Sequence, residues 1–376
     1  MNPQTCIRHL SRQSLQCSQL IIEKSKIIIQ YKNWNNAFRG KVKPYYAVKC
    51  NPLFQIINEL NSLNSGFDCA SWEEIKNVQN INPNAPIIYA NPVKPIDDLY
   101  FAYKSGVRLV TVDCIEEMDK FHNLPGIEII IRLSVNDNFS KCKFNSKFGA
   151  SFEEMKKIVK KAKLQQNKIS GFSFHVGSSC SSIIPYQDAI LQCKSAFDVC
   201  KSHGFNDVKI LDIGGGFLPH DDEVSIYELG RVILQTIETN FDQNHNLKII
   251  GEPGRFLVGN AATLITNVIG KKESIVDNHP LTKYYIDNGV YGLLNCQIYD
   301  YNYPKFTIQT KDNNNSLTSS STIFGPTCDS LDIIRDSIQL PQLQLGDKII
   351  FHDMGAYTNA ASTYFNGLNS YKLLYI

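Results

Sequence analysis

The chain has 376 residues, which is enough for two or three domains or for one large barrel with an additional domain. Its 38 Lys and Arg residues nearly balance its 36 Asp and Glu residues, and the formal charge of +2 argues against a protein that binds nucleic acid or acidic membranes. Apolar residues make up 43% of the chain, so the sequence can bury a large core and is not of the disordered class.

Eleven cysteines are scattered along the chain, and none of them has the C-x-x-C spacing. This pattern argues against a disulfide framework and a thiolate zinc site, and it predicts a reduced, cytoplasmic location without a bound metal. No apolar stretch reaches the roughly 18 residues that a membrane-spanning helix needs. The first segment lacks acids and carries Arg8 and Arg12, a weak likeness to a transit peptide, but Ile21–Ile29 fits the start of packed structure more simply.

Eight apolar segments of strand length lie between residues 45 and 252. Stretches with apolar residues at helical spacing lie between most of them, such as Ser71–Val78 and Phe152–Leu164. Strands that alternate with helices predict a parallel sheet, and eight of them predict an α/β protein with a closed (β/α)8 TIM-like barrel. The predicted strands are Tyr45–Val48, Phe67–Ala70, Ile87–Tyr89, Leu109–Val112, Ile129–Leu133, Ile169–Phe174, Lys209–Ile213 and Lys248–Ile250.

After about residue 260 the chain consists of Tyr-, Thr- and Ile-rich runs separated by Asn, Asp, Gly and Pro, which predicts a C-terminal antiparallel β domain. The segment Lys311–Ser321 is too polar to pack and is predicted to be a mobile loop. We therefore expect the barrel over residues 25–260 and the β domain over residues 261–376 with part of residues 1–24. The predicted strands of the β domain are Lys283–Ile286, Ile298–Tyr303, Ser321–Phe324, Asp347–Phe351 and Tyr371–Ile376.

A barrel of this kind has its active site at the C-terminal ends of the strands, where this sequence places mostly polar and ionisable residues. Lys49 is either a lysine whose charged end reaches water or an amine that forms a Schiff base with an aldehyde. Gly214–Gly216 either forms a tight turn or brings backbone N–H groups close to a small phosphate. The residues at these strand ends are Lys49, Asp68, Asn91, Asp113, Arg132, His175, Gly214–Gly216, Glu252 and Arg255.

The side chains near the glycine run suggest one cofactor. Arg255 either pairs with the same phosphate, to which Ser178 can offer a hydroxyl, or forms a local salt bridge with Glu252. Glu252 can hold a proton on a ring nitrogen, and His175 is either an ordinary half-buried imidazole or a ring that stacks on a planar cofactor. Pyridoxal 5′-phosphate (PLP) explains these features together, and its protonated ring accepts the electrons left when an amino acid loses CO2.

Seven short motifs occur in a characteristic order, namely Pro44–Pro52 (PYYAVKCNP), Gly66–Ser71 (GFDCAS), Phe172–Ser178 (FSFHVGS), Leu211–Phe217 (LDIGGGF), Glu252–Arg255 (EPGR), Gly325–Asp329 (GPTCD) and Gly355–Thr358 (GAYT). Together they resemble the eukaryotic ornithine decarboxylase family of fold type III PLP enzymes, which have an alanine-racemase-like barrel and a C-terminal β domain. The resemblance spans about Ile27–Gly367. It implies decarboxylation of L-ornithine to putrescine and CO2, the entry step of polyamine biosynthesis.

The resemblance also implies roles for individual barrel residues. Lys49 matches the catalytic lysine that bonds covalently to PLP, and His175 matches the residue that stacks on the cofactor ring. Glu252 matches the acid that pairs with the pyridine nitrogen. The other residues that match cofactor contacts or order the site are Asp68, Glu74, Arg132, Ser178, Gly215, Gly216, Pro253, Gly254, Arg255 and Tyr357.

In the β domain, Cys328 matches the catalytic proton donor to the product carbanion, a role that suits a thiol because thiols are mostly protonated at neutral pH. Considered alone, this cysteine would be read as an inert buried thiol. Tyr299, Asp300 and Asp329 match the residues that receive the distal amine of the substrate, and two acids suit its positive charge. Phe365 matches an aromatic residue near the departing carboxylate.

The resemblance implies a homodimer with shared active sites, because the family takes the thiol and one acid of each site from the partner subunit. Lys147 with Asp332, and Asp113 with Lys272, match ion pairs across that interface. Antizyme is a possible further partner.

Two positions depart from the family pattern. Ser179 and Ser330 stand where the family usually has glycine, and a serine is strained there if the backbone needs a positive φ. The sequence also ends soon after the last predicted strand, so we expect no long C-terminal tail of the vertebrate type.

The sequence thus predicts an active, PLP-dependent ornithine decarboxylase, and two alternatives stay open. One is a non-catalytic homologue that resembles the antizyme inhibitors, although the groups that the chemistry needs are present. The other is a decarboxylase that prefers lysine, arginine or diaminopimelate, because one methylene gives only about 1–3 kcal/mol of discrimination.

Overall fold

The structure is a computed structural model that describes residues 17–220, 224–242, 246–276, 279–310, 318–368 and 370–376. The described chain forms two compact units. One unit is Ile28–Leu257, and the other combines the segment up to Ile27 with Val258–Ile376. Arg8 and Arg12, on which the likeness to a transit peptide rests, lie outside the described residues.

Helices alternate with strands in the first part of the chain, and strands predominate in the second part. The described strands are β1 (Ser18–Ile22), β2 (Val42–Ala47), β3 (Gly66–Cys69), β4 (Ile87–Tyr89), β5 (Leu109–Val112), β6 (Glu128–Leu133), β7 (Ser140–Cys142), β8 (Lys168–Phe174), β9 (Ser178–Cys180), β10 (Ile210–Asp212), β11 (Lys248–Gly251), β12 (Ala262–Val276), β13 (His279–Ile286), β14 (Phe306–Gln309), β15 (Thr318–Phe324), β16 (Ile333–Pro341), β17 (Lys348–Phe351) and β18 (Tyr371–Tyr375). The described α-helices are α1 (Lys24–Ala37), α2 (Phe54–Ser62), α3 (Trp72–Gln79), α4 (Ile96–Lys104), α5 (Phe152–Gln165), α6 (Ile184–Ser202), α7 (Ile226–Asn240), α8 (Arg255–Val258) and α9 (Cys296–Tyr299).

Eight parallel strands of the first unit close into a barrel in the order β2, β3, β4, β5, β6, β8, β10 and β11, and β11 pairs back with β2. The predicted barrel is therefore confirmed. Ile88, Ile130, Ile210 and Ile250 come from four of these strands and form one packed cluster. Because the strands are parallel, their C-terminal ends lie at one end of the barrel, where motifs that are distant in sequence can meet.

Two barrel helices begin where the sequence offers a cap. Ser71 accepts the backbone N–H of Glu74 at the start of α3. Ser151 and Glu154 bond to each other's backbone in a capping box that starts α5. Both helices coincide within a residue or two with the stretches that the helical spacing predicts, since the cap and the apolar period agree there.

The segment that carries Lys49 is a turn and not the end of a strand. β2 ends at Ala47, and Val48–Cys50 forms a 3₁₀ turn that the N–H of Asn51 closes by donating to the carbonyl of Val48 at 3.1 Å. The hydroxyl of Tyr46 donates to the carbonyl of Asn51 at 3.0 Å. These bonds fix the backbone on which Lys49 stands.

A short antiparallel ribbon of β7 and β9 belongs to the barrel unit and was not predicted. Cys142 pairs with Ser178 in this ribbon, and Ser140 pairs with Cys180. The hydroxyl of Ser140 donates to the carbonyl of Val176 at 2.6 Å. The ribbon therefore holds Ser178 in place just beyond β8.

The second unit is built on a sheet in which β14, β17, β12, β13, β15 and β16 are neighbours in that order, while β1 pairs with both β12 and β18. Most pairs are antiparallel, which confirms the predicted C-terminal β domain. The pairs β1 with β18 and β13 with β15 are parallel. Ile21, Ile265 and Ile350 form a packed cluster on this sheet.

One predicted strand of the second unit, Ile298–Tyr303, is wrong. Cys296–Tyr299 is helical, and the N–H groups of Asp300 and Asn302 both donate to the carbonyl of Cys296. The alternating pattern that suggested a strand comes from three tyrosines whose side chains are exposed. These local hydrogen bonds satisfy the backbone groups of the segment in a helical turn, so the segment does not need to pair with a neighbouring strand.

The predicted mobile loop Lys311–Ser321 is described only in its last part. Residues 311–317 lie outside the described ranges, and Thr318–Ser321 belongs to β15, so that part of the prediction is wrong. The hydroxyl of the fully buried Ser321 donates to the carbonyl of Ser319 at 3.0 Å, which lets a polar run enter a sheet. The sequence analysis also misses β1, β12, β14 and β16.

Two further features concern the whole of the described chain. No helix in the described ranges is both long enough and apolar enough to cross a bilayer. No disulfide bond joins any two of the ten cysteines that the structure describes.

Candidate functional site

Six neighbouring barrel strands present the predicted cofactor residues at one end. The strands β6, β8, β10, β11, β2 and β3 are adjacent in that order. A predicted residue stands at or just beyond the C-terminal end of each, so the barrel brings these motifs together. They are Arg132 on β6, His175 after β8, Gly215 and Gly216 after β10, Glu252, Pro253, Gly254 and Arg255 after β11, Lys49 after β2, and Asp68 on β3.

An accessible amine and a buried acid lie side by side in this ring. The Nζ atom of Lys49 is 3.6 Å from Oδ2 of Asp68, and the lysine side chain is 45% exposed whereas the aspartate side chain is 1% exposed. Neither carboxylate oxygen of Asp68 accepts a hydrogen bond from any described residue. The amine is therefore accessible to a ligand, and the buried acid lies beside it.

Two further acids close to the ring are held by their own backbone. Glu74 accepts the N–H of Ala70 at 2.6 Å, and Asp113 accepts the N–H of Gly149 at 2.8 Å. Desolvation by burial raises the pKa of both carboxyl groups. Asp113 is 9% exposed in the single chain, and its ion pair with Lys272 of a partner subunit stays a prediction.

A pair of acids lies between the glycine run and the end of β11. The carboxyl groups of Asp212 and Glu252 are in hydrogen-bond contact, and Asp212 also accepts the N–H of Gly214 at 2.9 Å. The backbone N–H of Glu252 donates to the carbonyl of Gly214 at 2.7 Å. Desolvation raises the pKa of both carboxyl groups, and their contact disfavours ionisation of both together. The pair can therefore hold one proton and one negative charge next to a ring nitrogen.

His175 is half-buried and fixed in one tautomer. Its Nδ1 atom accepts the N–H of Gly177 at 3.0 Å, so the proton of the neutral ring is on Nε2. Desolvation, together with the charges of Arg132 and Lys49, lowers the pKa of His175 well below its usual value. Phe144 packs edge-on against the imidazole, with 5.0 Å between ring centroids. A neutral ring held in this way is suited to stack on a flat aromatic ligand.

Ser178 and Arg255 offer hydrogen-bond donors to an anion. The Nη2 atom of Arg255 donates to Oγ of Ser178 at 3.2 Å. Pro253 and Gly254 connect Glu252 to Arg255, and a Cβ atom on Gly254 would lie only 3.0 Å from the Cβ of Cys50. A hydroxyl and a guanidinium at this separation can bind the same phosphate.

Only glycine fits the loop that follows β10. Gly216 has a φ of 102°, and a Cβ atom there would lie 2.7 Å from the carbonyl oxygen of Gly177. A Cβ atom on Gly215 would lie 2.8 Å from Nε2 of His175. The backbone of this loop therefore packs so closely against the residues that follow β8 that no other residue type fits.

The residues present fit PLP. Both oxygens of Asp68 are buried and accept no hydrogen bond from the described residues, so they can accept one from a ligand. Arg255 and Ser178 supply the donors that a phosphate needs, and Lys49 supplies the amine that an aldehyde needs. The donor set therefore matches the three functional groups of this cofactor.

A second perturbed lysine, Lys94, is not a candidate for the amine. Burial lowers the pKa of Lys94 to about 8. Its side chain is completely buried, and Nζ donates to the carbonyls of Pro92 at 3.1 Å and Thr111 at 2.5 Å. An amine enclosed in this way has no access to a ligand, so Lys49 is the better candidate.

A second group of predicted residues gathers within the β domain. Tyr291 donates its hydroxyl to Asp329 at 2.5 Å and stacks on Phe365, with 4.4 Å between ring centroids. Asn366 accepts the backbone N–H of the exposed Cys328 at 3.0 Å. A backbone N–H and then the Tyr291 hydroxyl lower the pKa of Asp329. An ionised acid therefore stands next to an accessible thiol in the chain.

The other predicted β-domain residues differ in their exposure. Tyr299 is the last residue of α9 and is 64% exposed, whereas Asp300 is 7% exposed. Tyr357 follows β17 and has a φ of 54°, a conformation that costs free energy in a residue other than glycine. Strain of this kind is common where a side chain has to be presented to a ligand.

Asp332 is buried inside its own unit. Its carboxylate accepts the N–H of Val290 at 2.8 Å, the N–H of Thr327 at 3.0 Å and the hydroxyl of Thr327 at 2.7 Å. The residue is 1% exposed, and these bonds order the turn that carries Cys328. Its ion pair with Lys147 of a partner subunit stays a prediction.

Sequence reasoning missed three residues of these two groups, namely Asp212, Tyr291 and Asn366. Asp212 lies within the motif Leu211–Phe217, where an acid inside an apolar strand is a readable signal of a buried polar contact. Tyr291 offers no comparable local signal, because its partner Asp329 is distant in sequence.

Ser179 should be a strained residue next to the phosphate donors. Its φ is 57°, in the left-handed region that favours glycine, so the structure meets the condition under which the sequence predicted strain. We expect Ser179→Gly to raise the free energy of unfolding by about 0.5–1 kcal/mol, because it removes this strain at a smaller cost in chain entropy. The midpoint of urea unfolding of the cofactor-free protein measures the change.

Ser330→Gly is the matched control, since Ser330 also replaces a family glycine but does not have a positive φ. We expect it to leave the midpoint unchanged or to lower it slightly. Equal shifts for the two variants would show that the φ of Ser179 is not a source of strain.

Comparisons with known proteins agree with this site. A family model described as the pyridoxal binding domain of pyridoxal-dependent decarboxylases matches residues 24–259. Antizyme inhibitor 2 of Xenopus laevis is 38% identical over 347 residues, which cover 89% of this chain and 76% of that protein. Ornithine decarboxylase of Mus musculus is 34% identical over 369 residues, which cover 95% of this chain and 80% of that protein. The crystal structure of the arginine decarboxylase of Paramecium bursaria Chlorella virus superposes with a TM-score of 0.91 at 33% identity and covers 99% of this chain and 100% of that one.

The family match extends over more than half of the chain, and it coincides with the barrel that carries Lys49, His175 and Arg255. Its description names the pyridoxal cofactor, whose aldehyde, ring and phosphate these residues fit. The resemblance read from the motifs is thereby confirmed, and PLP is the cofactor. The chain belongs to the family of PLP-dependent decarboxylases of ornithine, arginine and lysine.

Proposed function

We propose that this protein decarboxylates L-ornithine to putrescine and CO2, as an active homodimer with shared sites that works at the entry of polyamine synthesis. The observation that carries the proposal is the ionised Asp329 directly beside the exposed thiol of Cys328 in the β domain. An acid of this kind can bind a terminal ammonium, and a thiol can supply a proton. Mus musculus ornithine decarboxylase, to which the chain is 34% identical, supports the choice of substrate.

The barrel residues bind and orient in this proposal. Ser178, Gly216 and Arg255 would bind the phosphate, and the amine of Lys49 would hold the cofactor covalently through its aldehyde. When bound, PLP supplies a protonated ring that accepts the electron pair left by the departing CO2. Glu252, in contact with Asp212, keeps a proton at the ring nitrogen and so maintains that capacity.

His175 and the β-domain residues place the substrate and finish the reaction. The neutral imidazole of His175 would stack on the cofactor ring and would add no positive charge that competes for electrons. Asp329 and Asp300 bind the distal ammonium, and Phe365 lines the space for the carboxylate that leaves. Sγ of Cys328 would donate its proton to the carbon that has lost CO2, which forms the new C–H bond of putrescine.

We further propose that Cys328 and Asp329 serve the barrel of the partner subunit. The bonds of Tyr291 to Asp329 and of Asn366 to Cys328 join residues of the β-domain unit to each other. A preassembled half-site is what a shared site requires, because each subunit must present its half already formed.

A second candidate is a regulatory homologue without activity. Antizyme inhibitor 2 of Xenopus laevis is 38% identical to the chain and favours this reading. Against it stands the retention of Lys49, Asp68 and Cys328 in ordered positions. A third candidate is an arginine or lysine decarboxylase, since the viral structure that superposes well is an arginine decarboxylase.

CO2 release from ornithine, lysine and arginine decides among these candidates. We expect kcat/KM to be highest for ornithine, by about tenfold or more over lysine, since one methylene contributes about 1–3 kcal/mol of discrimination. The Lys49→Arg variant serves as the blank. A higher kcat/KM for lysine or arginine would overturn the substrate, and no CO2 from any of the three in PLP-saturated protein would favour the regulatory homologue.

A further inference from the structure

Gln30 on α1 has a fully bonded, buried side chain next to the phosphate loops. It is 4% exposed. Its amide nitrogen donates two hydrogen bonds, one to the carbonyl of Pro219 at 2.9 Å and one to the carbonyl of Phe256 at 3.0 Å. Its amide oxygen accepts a hydrogen bond from Nδ2 of Asn33 at 3.0 Å, which fixes the amide against rotation.

The two carbonyls that Gln30 binds belong to different loops of the barrel. Pro219 lies in the loop after β10, three residues beyond Gly216, and Phe256 directly follows Arg255 in α8. At the strand ends these loops are already joined by a backbone hydrogen bond of 2.7 Å. Gln30 adds a second connection between the two loops, beyond Gly216 in one and beyond Arg255 in the other.

Aromatic packing beneath the same loops does not make this connection redundant. Trp34 packs on Phe217 with 4.8 Å between ring centroids and on Phe256 with 5.8 Å. Such contacts set the spacing of the loops but are weakly directional, whereas hydrogen bonds to carbonyls fix the orientation of the peptide planes. The orientation of these planes decides where the neighbouring N–H groups and side chains point.

We propose that Gln30 is a positioning residue for phosphate binding. It fixes the position of the loop that carries Gly216 relative to the turn that carries Arg255. Gly216 and Arg255 can then bind one phosphate without a rearrangement of either loop. The inference rests on the proposed phosphate roles of these two residues. Gln30 touches neither phosphate donor directly and acts through the backbone of each loop.

The test compares the affinity of the cofactor-free protein for PLP with its affinity for pyridoxal, which lacks the phosphate. Gln30→Met keeps the size and shape of the side chain but removes both donors. We expect the Kd for PLP to rise about tenfold and the Kd for pyridoxal to change less than about twofold. Quenching of tryptophan fluorescence measures both constants, and urea unfolding reports any loss of stability.

Further variants separate positioning from a merely structural role. Gln30→Lys restores a donor for both carbonyls and should bind PLP like the unchanged protein. Asn33→Leu removes the bond that orients the amide, together with an exposed hydrogen bond that Asn33 accepts from the hydroxyl of Tyr227 at 3.3 Å. It should raise the Kd for PLP about threefold, which keeps the test decisive if Gln30→Met does not fold. Thr236→Val removes a buried hydroxyl bond of 2.8 Å within α7 and should change neither Kd.

Arg255→Met distinguishes failure of this inference from failure of the proposed function. Selective loss of PLP affinity in Gln30→Met, with recovery in Gln30→Lys, supports the positioning role. Equal changes for PLP and pyridoxal, or none, overturn it when Arg255→Met does lose PLP affinity selectively. If Arg255→Met shows no such selectivity, the phosphate site itself is misassigned and both proposals fall.

Discussion

Replacing Lys49 by arginine should abolish covalent attachment of PLP and slow CO2 release from ornithine on the order of a thousandfold or more. Arginine keeps a positive charge beside the Asp68 carboxylate, which lies 3.6 Å from Nζ in the native chain. Its guanidinium stays protonated and is not a nucleophile. The change therefore removes the reactive amine and leaves the local charge balance as it is.

Borohydride reduction of the PLP-loaded protein, followed by peptide mass mapping, measures the attachment directly. In the unchanged protein the cofactor mass should appear on the peptide that contains Lys49, and it should disappear in Lys49→Arg. A label on the peptide containing Lys94 would contradict the assignment, because that lysine is completely enclosed.

Mixing two inactive variants, Lys49→Arg and Cys328→Ala, should restore about a quarter of the unchanged activity. Random exchange of subunits makes about half of the dimers mixed, and each mixed dimer has one site with both the native lysine and the native thiol. Alone, Cys328→Ala should slow formation of putrescine about 10²–10⁴-fold, because proton donation is lost. Putrescine release before and after subunit exchange gives the result.

The control for this experiment is a mixture of Lys49→Arg with the double variant that carries both changes. No combination of these subunits rebuilds a complete site, so no activity should return. Native mass spectrometry shows whether mixed dimers have formed. Mixed dimers without recovered activity would mean that Cys328 serves the barrel of its own subunit.

The barrel was predictable because its signals are local. Each strand is an apolar run, and in parallel strands that are buried on both faces such runs are continuous and easy to recognise. The polar residues at the strand ends, such as Lys49 and His175, then follow from the rule that these ends meet. Most of the barrel half of the site could therefore be read from single segments.

The β domain was harder to predict because its pairings are distant in sequence. β12 combines charged and apolar residues over fifteen positions and was missed. Tyr291 is linked to Asp329 by a bond between residues 38 positions apart, which no local pattern encodes. Asp332 likewise accepts the N–H of Val290, a residue 42 positions away, and no local pattern encodes that bond.

The pairing of β1 with β18 sets an order of events during synthesis on the ribosome. β1 emerges before any other described strand, and its parallel partner emerges after all of them. When β18 emerges, the barrel, Ile28–Leu257, has already left the ribosome and can fold as a unit before the β domain is complete. Until β18 arrives, β1 has an open edge on that side, so the nascent chain carries a strand that is prone to pair with other molecules.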